Sequence, residues 1–272
     1  MNYRRALSAV CVLALGIACS SPKNAPLGPA PRTAETVPKA PAPVPQAEHD
    51  ALEERVFAFT QRERQRQGLP PLQPDGTLAS IARLHSEDML RHGYFSHEDR
   101  QGRSPDERIA QGHRRLIGLT AENLWMGSGY AGIALDDIAA TMIDSWLKSP
   151  GHRRNLLNPE YTRLGVGIAQ ENGEVRVTQC FAFATAFLET PLPSTVNSGQ
   201  PLDLRATSAA PNLNSPVQAA FKHTSGREAG PVTLGDAVRL DLNKGTYRLL
   251  FYTPDSRPGR YTIYLGPSLE VR

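Results

Sequence analysis

The apolar residues of this chain change their repeat near residue 160, from a helical period to a strand period, and that change constrains the fold more than any other feature. Upstream, Leu52, Val56 and Phe59 fall at i, i+4 and i+7 and predict a helix beginning near Glu48. Gly68, Pro70 and Pro71 end it. Asp75 can cap a second helix whose stripe is Leu78, Ala82, His85 and Met89, with Ile81 adjacent and Gly93 as its stop. Ser104-Pro105-Asp106-Glu107 is a capping box with Pro in the first turn, so a short helix should run to about Gly112. Asp136 or Asp137 opens a further helix with Leu135, Ile138, Met142 and Trp146 on one face, broken by Ser149-Pro150-Gly151. Downstream, Leu164 to Ala169 reads as a strand, Asn172-Gly173 as a tight hairpin turn and Val175 to Phe187 as the returning strand. Helices followed by an antiparallel hairpin predict an α+β domain over 48–190.

Pro191-Leu192-Pro193 punctuates the chain again. Short alternating runs follow at Leu202 to Ala206, Val217 to Lys222, Ala237 to Leu242, Thr246 to Tyr252 and Tyr261 to Leu265. They predict a small, sandwich-like all-β domain over 191–272. No chemistry is visible there, and a packing or adhesion module is the favoured reading.

The first 47 residues are of another kind. A basic head, with Arg4 and Arg5, precedes an apolar run from Ala6 to Ala18, the layout of a signal peptide over 1–18. Leu15-Gly16-Ile17-Ala18-Cys19 resembles a bacterial lipobox, so Cys19 is the expected lipidation site and the membrane the expected partner through it. Gly16 stands where Leu is usual. An ordinary secretory signal, releasing the protein, is the alternative. Residues 19–47 are a Pro- and Ala-rich linker, extended and unable to form a core, as suits a tether. Past the N-terminus no apolar run approaches the roughly 20 residues that span a bilayer. The expected location is the bacterial cell envelope.

Charge and cysteine count exclude whole classes. Thirty basic against 27 acidic residues give +3, and removing Arg4 and Arg5 with the signal leaves +1. A nucleic-acid binder would concentrate basic charge, so no nucleic-acid partner is expected. Three cysteines are too few for a disulfide scaffold. With Cys11 removed and Cys19 acylated, Cys180 has no partner and reads as a small buried apolar group.

Three segments carry candidate chemistry: Tyr94-Phe95-Ser96-His97, Ala121-Glu122-Asn123-Leu124, and Trp146 through Leu157 with His152 at its centre. Each is read as lying at an element boundary, where binding groups are commonly presented. His97 and His152 can ligate a metal as neutral imidazoles, and with Glu122 they make a His2Glu set suited to zinc. Without metal, the same set could polarise a small ligand. Against this, His152 and Arg153 could simply bond loop carbonyls, Glu122 could cap amides, and His85 reads as a core histidine. No His-Glu-x-x-His, no Gly-x-Ser-x-Gly elbow and no phosphate loop is present. His97-Glu98-Asp99 lacks calcium-loop spacing.

These segments, with Leu84 to Met89 and Leu164-Gly165-Val166-Gly167, occur in the order found in the bacterial branch of the CAP superfamily (cysteine-rich secretory proteins, antigen 5, pathogenesis-related 1). The similarity runs from about Asp50 to Leu188. It implies a CAP-type α-β-α sandwich with a cleft holding His97, Glu122 and His152, and in some members a divalent metal. Ser149 stands where many eukaryotic members have Glu, which removes one acid. Asn123, Arg153 and Asn155 then hold the cleft loops. Three functions follow as expectations. The first is an envelope-anchored protein binding a lipid, a metal or a partner protein in the cleft. The second is a metal-dependent hydrolase of envelope peptides or peptidoglycan, with Glu122 as general base. The third is a structural or adhesive surface protein.

Overall fold

The computed structural model describes residues 46–130, 132–210, 218–234, 238–239, 242–254, 257 and 259–272. The signal segment and Cys19 lie outside the described residues, as does the linker up to residue 45. No helix among the described residues is long and apolar enough to cross a membrane.

The first half is an α-β-α sandwich, as the CAP resemblance implies. Helices α1 (Gln46–Arg66), α2 (Gly76–His92), α3 (Pro105–Gly112), α4 (Leu135–Lys148) and α5 (Pro150–Leu156) flank a sheet. That sheet contains β1 (Gln73–Pro74), β2 (Leu116–Gly127), β3 (Arg163–Glu171) and β4 (Glu174–Leu188), in the order β1-β3-β4-β2. Side chains alternate faces along each strand. Leu164, Val166, Ile168, Val177 and Phe181 meet Leu52, Val56, Met142 and Trp146 on one side. Cys180, Ala182 and Ala184 meet Leu78, Ile81, Ala82 and Ile109 on the other. Cys180 is a free, buried thiol whose pKa burial raises well above the usual value.

Local signals are obeyed where the chain satisfies its own backbone. The Asp75 carboxylate accepts from the Thr77 and Leu78 amides, and Gly93 closes α2 at φ 66°. Ser104 and Glu107 form the full capping box. Asn172 and Gly173 both have positive φ, 55° and 75°, as a two-residue turn between right-twisted strands requires. The Leu-Gly-Val-Gly segment proves to be a packing device. A Cβ on Gly165 would lie 2.2 Å from the Ala79 amide nitrogen, and one on Gly167 would lie 1.9 Å from that of Arg83. The α2 backbone therefore rests directly on β3.

Several expectations are corrected. The N-cap of α4 is Ala134, without a side-chain bond, because the helix already starts at Leu135; Asp136 and Asp137 occupy its first turn, where they favour the positive end of the helix. Ser149-Pro150-Gly151 ends α4 but also begins α5, since Pro at the first helical position lacks only an amide that would be unpaired anyway. The Ala121–Leu124 segment is no boundary but the interior of the 12-residue strand β2.

The C-terminal part is all-β, as expected. β5 (Thr195–Val196), β7 (Gln218–His223), β8 (Glu228–Thr233), β9 (Gly245–Pro254) and β10 (Tyr261–Val271) make one sheet, ordered β5-β10-β9-β7-β8. Strands were expected over 202–206 and 237–242; the described residues there show an isolated bridge, Leu202 to Val238. The remaining strand, β6 (Ala206–Ser208), pairs with Ala186–Leu188 of β4 in the first sheet, past the start of β3, whose first residue Arg163 lies opposite Ala182. Ile117, Ala186 and Leu188 of the first sheet share one core with Phe221, Leu249, Phe251 and Leu269.

Candidate functional site

Strand β2 is an edge strand, and its outward carbonyls need donors. Trp146 Nε1 donates to the Leu124 carbonyl at 2.8 Å, and Asn155 Nδ2 donates to that of Glu122 at 3.2 Å. Thus α4 and α5 cover the edge at which the Glu-Asn dipeptide sits.

Consecutive strand residues face opposite ways, so Glu122 and Asn123 each hold one side of the site. Glu122 projects toward α2 and α3, beside Cys180, its pairing partner on β4. Its Oε1 accepts from His97 Nδ1 at 2.8 Å, and its Oε2 accepts from Arg108 at 2.6 Å. The carboxylate is 2% exposed and the guanidinium 8%, whereas His97 is 52% exposed. Arg108 also donates to the carbonyls of His97, at 2.5 Å, and Arg103, at 3.0 Å. A carboxylate can only accept, so His97 carries its proton on Nδ1, and in the neutral ring Nε2 is left with a lone pair. Asn123 projects to the other face. Its amide donates to the His152 carbonyl at 3.2 Å and to Gln179 Oε1 at 3.3 Å, while its oxygen accepts from Asn155. Gln179 in turn donates to Thr60 on α1. Arg64, fully buried, donates to the Leu156 and Asn158 carbonyls and fixes the end of α5.

His152 has its pKa lowered by burial and further by the nearby positive charge of His97. His97 is therefore bonded to Glu122 on one side of β2, and His152, on α5 across the β2 edge, is near enough to feel the charge of His97. His85 is buried and donates from Nε2 to the Ser96 carbonyl at 2.9 Å; its Nδ1 has no protein partner. Burial lowers its pKa, with Glu122 opposing and Arg108 reinforcing the effect. Asp99 takes both oxygens into its own turn, accepting from the Gln101 and Arg103 amides and from the Arg103 side chain. Arg153 and Arg154 lie with Pro150 and Leu157 along a shallow surface hollow of about 480 Å³. Ser149 caps neither helix with its side chain.

The donors available to a metal are the two imidazoles. Both Glu122 oxygens are engaged, and no group of three His, Cys, Asp or Glu side chains is gathered among the described residues. That falls short of the three protein ligands of a catalytic zinc centre. What the arrangement offers is an exposed imidazole held in one orientation by a buried, charge-balanced carboxylate.

Arg108 was not singled out in the sequence, although it lies one residue beyond the capping box. A charged residue on the inner face of so short a helix was the available signal, because such a group is rarely buried without a partner. Gln179 and Thr60 gave none: Gln179 follows another polar residue, Thr178, and Thr60 opens the polar stretch Gln61 to Gln67, so neither stands out.

Residues 57–181 match the family described as "Cysteine-rich secretory protein family". The chain is similar to two uncharacterised Bacillus subtilis proteins. It is 35% identical to YkwD over 157 residues, 55% of this chain and 54% of that one. It is 36% identical to YlbC, named a membrane protein, over 116 residues, 43% of this chain and 31% of that one. The chain thus spans about half or less of the curated relatives it matches. Among solved structures, an extracellular SCP-domain protein of Bacillus anthracis is 31% identical with a TM-score of 0.43, covering 52% of this chain and 45% of that one.

Proposed function

We propose, from the premise that residues 57–181 are a CAP domain of the bacterial type, that this is an exported protein which binds a ligand at His97 and His152, on the two sides of the β2 edge. One observation carries the reading. Glu122 has one oxygen on His97 and the other on Arg108, so it orients His97 instead of standing free as a base. His97 Nε2 then faces outward as an acceptor, or as a donor once the ring is protonated, and His152 supplies a second imidazole. Such a pair suits a small polar headgroup or a metal whose remaining ligands come from water. Export and lipidation at Cys19 rest on the basic head, the apolar run and the lipobox-like Leu15 to Cys19.

The test titrates the full chain with zinc chloride and, separately, with anionic phospholipid vesicles, following the His97 and His152 ring signals by NMR. Binding should weaken in both His97→Ala and His152→Ala. Equal affinity in all three proteins for both probes would reject the cleft.

A second reading has its own observation. An exposed imidazole backed by a buried carboxylate is also the geometry of a general base acting on water. Hydrolysis of peptidoglycan fragments that disappears in His97→Ala would favour the hydrolase.

A further inference from the structure

The C-terminal β module is joined to α3, the helix that carries Arg108. Helix α3 packs on β10, and Glu107 on α3 pairs with Arg248 of β9 at 3.1 Å. The next residue is Arg108, which holds both Glu122 and the His97 carbonyl. Just beyond α3, the Arg114 guanidinium donates to the carbonyls of Leu192, Pro193 and Ser268, tying helix, connecting segment and β10 together. Its pKa is lowered by burial. The connecting segment answers with a backbone bond from the Leu192 amide to the Arg114 carbonyl. β6 adds a strand to the first sheet. A module joined only by a tether would show none of these.

We propose that the C-terminal module positions the cleft: through Arg248 and Arg114 it fixes α3, and Arg108 of α3 is the positioning residue that sets where His97 and Glu122 stand. Arg108 reaches from α3 to the Glu122 carboxylate on β2 and to the His97 and Arg103 carbonyls. A helix of eight residues has little rigidity of its own. Its placement is therefore decided by what lies on either side, the first sheet on one and β10 on the other. The inference concerns the same site as the ligand-binding reading but needs no ligand, so either can fail without the other.

The test uses the full chain without added ligand at one fixed pH. It records the His97 ring signal, the Glu122 amide signal and amide hydrogen exchange in α3. Arg248→Ala should shift both signals and speed α3 exchange roughly 1.4- to 5-fold, the range a partly exposed ion pair supports. Arg248→Lys should largely restore both signals, because the charge remains. Glu107→Gln should act like Arg248→Ala, since its amide oxygen still serves the helix cap. Arg272→Ala, which breaks a pair with Glu270 within the module, is the control. A His97 signal unmoved in Arg248→Ala, an equal shift in the control, or no recovery with Lys would overturn the proposal.

Discussion

Replacing Arg108 with Met should destabilise the fold much more than most single substitutions, and the reason can be followed from charge and burial. The Arg108 side chain is 8% exposed and that of Glu122 2%, so removing the guanidinium strands a carboxylate away from water. Breaking a buried pair in this way costs about 3–5 kcal/mol. His97 stays on the other oxygen but is half in solvent, and its compensation is correspondingly weak. The carbonyls of His97 and Arg103 lose a donor as well. Urea unfolding at pH 7 measures the effect. Both tryptophans, Trp125 and Trp146, belong to the core of the first domain, so their fluorescence reports on it. With an m-value of about 1–3 kcal/mol/M, the midpoint should fall by roughly 1 M or more. Arg108→Met with Glu122→Gln should lie closer to the wild type than Arg108→Met alone, because no charge is then left unpaired. A cost under about 1 kcal/mol for Arg108→Met, or a double variant no better than the single, would refute the view that the pair is a buried, mutually dependent unit.

Gly167→Ala should cost about 1–3 kcal/mol or more, since the added methyl meets the backbone of α2; Gly151→Ala, with open space around it, should change the melting temperature little. Trp146→Phe should cost about 1–3 kcal/mol in chemical denaturation, because the buried Leu124 carbonyl loses its donor. Stability should also decline in mild acid. The pKa of His85 is depressed by burial, so its contribution is complete above the unfolded value of about 6.5 and is lost as pH falls toward the folded value. The drop in melting temperature between pH 7.5 and 5.5 should be smaller in His85→Gln, and an unchanged drop would count against it. Asp75 behaves alike in a lower window: burial pulls its pKa up, but hydrogen bonds from His113 and the cap amides outweigh this and leave it lowered. Its contribution holds above about 3.9 and fades below, so Asp75→Asn should flatten acid unfolding there.

Sequence alone determined what nearest neighbours settle. The Asp75 and Ser104 caps, the Gly93 stop and the Asn172-Gly173 hairpin depend on groups a few residues apart, so their chemistry is written locally. The shift in apolar period separated helices from strands for the same reason. Strand β2 is not legible in the sequence because Thr120, Glu122 and Asn123 interrupt its alternation, and those polar groups are stable only with partners from α3 and α5. Helix α5 was hidden behind a Pro that serves as its first residue. His97, Glu122 and His152 could be listed from the chain, but their relation could not. Tertiary structure decided it: pleating sends Glu122 and Asn123 to opposite faces of one edge strand, one holding His97 and the other the α5 backbone. Arg108 and the C-terminal clamp on α3 belong to the same class. A buried guanidinium is tolerable only where distant carbonyls and a carboxylate converge on it, and such convergence is a property of the folded chain.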